Sequence, residues 1–81
     1  MLEINNAKYL NDFKLWLEFN NGISGIADLS DVLWGEMFEP LKDIKLFKKF
    51  KISSIMKTIE WENGADLAPE FLLNKINIDT H

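Results

Sequence analysis

An 81-residue chain that is 47% hydrophobic and 27% charged has the profile of one soluble globular domain. With no cysteine, and its single histidine at position 81, it excludes disulfides and thiolate zinc sites and lacks an internal imidazole or thiol for catalysis. The formal charge of −4 is segregated: residues 42–57 carry six lysines against Asp43, a balance of +5, and the remainder carries three lysines against twelve carboxylates, a balance of −9.

The first expected element is a strand over residues 2–10, with Ile4 apolar and Tyr9 and Leu10 near its end. Phe13, Leu15, Leu17 and Phe19 then alternate with Lys14, Trp16 and Glu18, the period of a half-buried strand. Asn21-Gly22 suits a two-residue type I′ hairpin turn, and Ile23 to Leu29 forms the returning strand. That register sets Leu17 against Ile26, Trp16 against Ala27 and Leu15 against Asp28; the last pairing is awkward enough to call for a bulge near Gly25. Ser30 is placed to cap a helical turn through Asp31, Val32 and Leu33, which Gly35 ends. Residues 36–41 read as irregular or briefly helical, broken by Pro40. Asp43 caps a turn over residues 44–48 that sends Phe47 and Phe50 into the core.

Residues 50–53 and 58–62 read as the fourth and fifth strands. In the connection between them, Ile55 and Met56 form either a contact patch or a segment folded under the sheet. After Asn63-Gly64, Pro69 suits the first position of a helix with an apolar face of Phe71, Leu72 and Ile76. The fold class is therefore α+β: an antiparallel sheet of about five strands built from hairpins, with short helices packed on one face. One domain is expected over residues 1–78, with a loose tail at 79–81.

The order of these signals resembles the domain-of-unknown-function family numbered 2442. The resemblance runs through Leu15-Trp16-Leu17-Glu18-Phe19 before Asn-Gly, Asp28-Leu29, Gly35 with Phe38, Pro40-Leu41-Lys42-Asp43, and Phe47 before Phe50-Lys51-Ile52. It ends on Thr58-Ile59-Glu60-Trp61, Asn63-Gly64-Ala65-Asp66-Leu67 and Pro69. Two positions depart from the pattern: Lys57 stands where the family usually has a turn glycine, and Glu62 where a proline is common. The resemblance implies a small bacterial α+β domain without established catalytic residues. It also implies a gene neighbour encoding another short protein, hence a two-gene module of the toxin–antitoxin kind.

Three tryptophans and one lysine cluster are the candidates for function. Trp61 reads as a core residue with its N–H bonded to backbone, and Trp34 as a lid over one end of the sheet. Trp16 stands on the opposite sheet face from Leu15 and Leu17, where it either contacts a partner or is covered by the C-terminal helix through Phe71, Leu72 and Ile76. Lys45, Lys48, Lys49 and Lys51 fit three roles: protection of a strand edge, an acidic protein partner, or phosphate contact. The absence of arginine weighs against sequence-specific DNA reading. Glu60 and Glu62 share one face of their strand as solvated side chains, and the spacing of Asp28, Asp31, Asp43 and Asp66 matches no calcium loop.

No cofactor or metal is expected, and no enzymatic activity. No apolar run reaches the roughly 18–20 residues that span a bilayer. Residues 1–6 lack the basic start of a signal peptide, so a cytoplasmic location without membrane contact is expected. The leading function is a non-enzymatic protein-interaction module, forming a homodimer or binding a small partner protein encoded nearby, as the antitoxin-like member of a pair. The alternative is a nucleic-acid-associated regulator acting through the lysines of residues 42–57.

Overall fold

Leu15, Leu17 and Phe19 are buried, and Lys14, Trp16 and Glu18 between them are half-exposed on the opposite side, as an alternating strand requires. In the computed structural model, which describes residues 1–77, this strand (β2, Lys14–Phe19) is the middle of a three-stranded antiparallel sheet. Its neighbours are β1 (Ile4–Asn11) and β3 (Ser24–Asp28). Ala7 and Tyr9 of β1 stand opposite Leu17 and Leu15, so the core face is continuous across the pair.

The β2–β3 register differs by one residue from the expected one. Leu15 faces Ala27, Trp16 faces Ile26, Leu17 faces Gly25 and Lys14 faces Asp28. The cause is the turn. Phe19 N–H donates to the Ile23 carbonyl (2.8 Å), leaving a three-residue loop in which Gly22 takes φ 88° and its N–H returns to the Phe19 carbonyl (3.1 Å). A type I′ turn needs positive φ at both central residues, and Asn21 is not among those with positive φ. The Asn21 side chain instead accepts from Ile23 N–H (3.0 Å), an Asx-type contact that fixes the loop. With this register the Leu15–Asp28 conflict disappears, and no bulge is needed near Gly25. The irregularities fall on the β1–β2 pair, between Ile4 and Asn6 and between Tyr9 and Asn11.

After β3 the expected Ser30-capped helical turn is replaced by a turn that Asp28 organises, its Oδ1 accepting from Ser30 N–H (3.0 Å). Pro40 does not break the next segment. It sits in the first turn of a 3₁₀ helix, Glu39–Lys42, where its missing N–H costs nothing. Asp43 caps α1 (Ile44–Phe47) by accepting from Lys45 N–H (3.0 Å), as its position in the sequence predicts. Phe47 then points inward, fully buried, with edge-to-face contacts to Phe13 (centroids 5.2 Å apart) and Tyr9 (6.3 Å). Trp61 packs at 5.7 Å from the same ring and donates its indole N–H to the Phe47 carbonyl (2.8 Å), so its one polar atom is paired inside the core.

The last two strands form a separate pair: β4 (Lys51–Ile52) against β5 (Ile59–Glu60). The expected single sheet is thus two sheets, three strands and two. Ile4 of β1 meets this pair through a backbone bond to the Lys57 carbonyl (2.9 Å), and no ladder continues it. Ile55 and Met56, in the β4–β5 connection, are 87% and 62% exposed, so they do not fold under the sheet. A second Asn-Gly loop follows, built as the first one is. Trp61 N–H donates to the Ala65 carbonyl (2.9 Å), Gly64 has φ 93°, and Asn63 Oδ1 accepts from Ala65 N–H (3.1 Å).

The closing helix α2 (Pro69–Asn77) buries Leu72 and Ile76, one turn apart, with Leu73 half-buried beside them. Phe71 was expected on that face but lies on the helix flank, exposed. Ile76 lies against Gly25, close enough that a Cβ there would be 2.6 Å from Ile76 Cγ2. Gly25 is opposite Leu17, so α2 covers the Leu15–Leu17 face of the sheet. The tail expected at 79–81 lies outside the described residues.

Candidate interaction surface

The position of α2 decides the environment of Trp16. The helix covers the other face, so the expected alternative of shelter under Phe71, Leu72 and Ile76 is overturned. Trp16 is instead the centre of a row across the second face, with Lys8 of β1 on one side and Ile26 of β3 on the other. Lys8 Nζ stands 5.7 Å from the indole centroid, a cation–π contact, and Ile26 is 49% exposed. One row along, Lys14 faces Asp28. Hydrogen bonds from the Ser30 amide and hydroxyl hold the Asp28 carboxyl below its ordinary pKa, with the charges of Lys14 and Lys75 adding to the effect.

This face ends at an open edge. β3 is a terminal strand of its sheet, and among the described residues the backbone groups of Ser24, Ile26 and Asp28 have no hydrogen-bond partner beyond β2. The Phe19–Ile23 and Phe13–Leu29 backbone bonds bracket the ladder, so by antiparallel alternation those three residues turn their N–H and C=O groups outward. The surface therefore joins a half-exposed indole, an exposed Ile26 and a strand edge able to accept another strand.

The lysine cluster divides. Lys51 pairs with Glu60 (3.8 Å) and Lys42 with Glu39 (3.2 Å), whereas Lys45, Lys48 and Lys49 form no salt bridge among the described residues. Those three lie on or just after α1, and Lys48 Nζ is 5.8 Å from the Tyr9 ring centroid. Trp16 belongs to the sheet and the lysines to the helical turn, so the sequence candidates fall on different elements. Trp34, expected as a lid, is 73% exposed just before Gly35, which has φ 86° and opens the next turn by accepting from Phe38 and Glu39 N–H.

A family model described as "Protein of unknown function (DUF2442)" matches residues 4–77. The chain belongs to the DUF2442 family. Searches of curated proteins and of solved structures find no match. The DUF2442 match ends with α2, so the helix that leaves the Trp16 face bare lies inside the family domain. Lys57, where the resemblance leads one to expect glycine, adopts φ 56°, the left-handed backbone that glycine takes without strain. Among the described residues of this DUF2442 domain, no helix is long and apolar enough to cross a membrane.

Sequence reasoning missed Lys8 and Ile26 as neighbours of Trp16. For Ile26 the signal was present in the asparagine-rich turn, since counting residues 20–22 as the loop sets it opposite Trp16; Lys8 depends on the separate β1–β2 pairing. It also missed the exposure of Leu46, which follows once Phe47 takes the core side of so short a helix.

Proposed function

We propose that this protein is a non-enzymatic interaction module that docks a partner chain on the sheet face around Trp16 and along the outer edge of β3. The observation that carries this reading is the location of α2, which leaves an indole and an isoleucine side by side beside an unpaired strand edge. Such a surface offers an aromatic anchor for affinity and main-chain hydrogen bonds for strand addition. The partner is a second copy of the chain or a small protein encoded beside it. In the second case the chain acts as the antitoxin-like member of a two-gene module, as its family resemblance suggests. With no cysteine and its one histidine at position 81, the chain has neither a thiol nor an internal imidazole for catalysis, which favours binding over chemistry.

The test is co-expression with the adjacent gene product, alongside sedimentation analysis of the protein alone. Trp16→Ala is expected to weaken whichever association is found by about 2 kcal/mol or more, the cost of losing an interface anchor. The variant's far-UV circular dichroism should stay native, because the ring contributes little to the core. Unchanged mass and affinity in Trp16→Ala would remove the sheet face from consideration.

A further inference from the structure

Away from the sheet face, the 3₁₀ helix, α1 and the loop that follows β5 line an apolar groove of about 170 Å³. Leu41 and Trp61, both almost fully buried, lie at its base, and Pro40 and the 42%-exposed Leu46 form its walls. Lys49 and Glu62 also line it. An apolar cavity of about 150 Å³ accommodates a benzene ring, so the groove has room for one large apolar side chain. Lys49 and Lys45, four residues earlier, form no salt bridge among the described residues, while Lys42 and Lys51 are neutralised by Glu39 and Glu60.

We propose that this groove is a second docking site, for a protein segment that inserts one bulky apolar side chain between Leu46 and Pro40 and sets flanking carboxylates against Lys49 and Lys45. Charge complementarity selects an acidic segment, because this stretch carries the chain's local positive balance. The apolar base selects a peptide over a nucleic acid backbone, because a phosphate chain would leave Leu46 and Pro40 unused. The proposal concerns different residues from the sheet face and stands or falls separately from it.

The test is an NMR titration of the isotope-labelled full chain with short synthetic peptides. One has a central phenylalanine flanked by glutamates; a second replaces the phenylalanine by serine, a third replaces the glutamates by lysines, and an oligothymidylate is the fourth probe. The glutamate–phenylalanine peptide is expected to bind in the micromolar range and to shift the Leu46 and Lys49 amides and the Trp61 indole resonance. Lys49→Glu and Leu46→Ala should each weaken it about tenfold, the loss expected for a contact central to a small site. Both residues are exposed, so both variants should fold. Binding that persists in Trp16→Ala supports a separate site. The proposal is overturned if the phenylalanine peptide leaves these resonances unmoved, or if the serine peptide, the lysine peptide or the oligothymidylate shifts them with equal affinity. Shifts that fall on the Trp16 row would overturn it too.

Discussion

Lys57 holds a left-handed backbone with φ 56°, a conformation that costs a side-chain-bearing residue roughly 1–2 kcal/mol. The surroundings impose it. Lys57 N–H donates to the Ser53 carbonyl (2.9 Å), and its own carbonyl accepts from Ile4, so the residue ties the β4–β5 loop to the first strand. Lys57→Gly keeps both bonds and removes the strain, partly offset by the greater freedom of glycine in the unfolded chain. The variant should gain about 1 kcal/mol, read as a rise of roughly 4–8 °C in the thermal midpoint of a domain this size. A midpoint that stays put or falls would show that the lysine is at ease there. Lys57 could be singled out from the chain only through its family resemblance, because nothing in the local residue types demands positive φ.

Between elements, the contact of Ile76 with Gly25 sets the distance of α2 from β3. A methyl group at position 25 would lie 2.6 Å from Ile76 Cγ2, far inside van der Waals contact, and a β-branched side chain has little freedom to retreat. Gly25→Ala should therefore destabilise by about 1–3 kcal/mol through overpacking. Ile76→Ala alone should also destabilise, by opening a cavity, but the double variant should be more stable than the sum of the two losses implies. Strict additivity in urea unfolding would show that α2 does not rest on Gly25. This packing was only half legible in the chain. The alternation of β2 and the Leu72–Ile76 spacing announced a strand and a helix with apolar faces, and Asp43 announced α1. Which sheet face the helix would choose depended on a one-residue register, and that register rested on whether Asn20 joins the loop. Pro40 misled for a similar reason, because a proline that ends one helix is equally suited to begin another.

At the scale of the whole molecule, about 60–65% of the unfolded surface is all that a chain of this length can bury. The core is correspondingly small, centred on Phe47 and Trp61 and closed by α2. If a second copy covers the Trp16 face, association and folding are linked by mass action, and the unfolding midpoint should rise with protein concentration. A midpoint independent of concentration would count against the homodimer. The segregated charge, positive over residues 42–57 and negative elsewhere, was legible from the sequence alone. Which lysines are already engaged was not, since Glu39 and Glu60 claim Lys42 and Lys51 only through folded geometry.

The two matching Asn-Gly loops bear on how the protein ages. Deamidation of asparagine proceeds when the nitrogen of the following glycine attacks the side-chain amide carbon and closes a succinimide ring. In both loops that nitrogen is held by the carbonyl three residues earlier: Gly22 by Phe19 and Gly64 by Trp61. The amide oxygens of Asn21 and Asn63 are held as well, by Ile23 and Ala65. The native fold thus withholds the nucleophile at both of its most labile peptide links, and chemical damage there becomes a record of time spent unfolded.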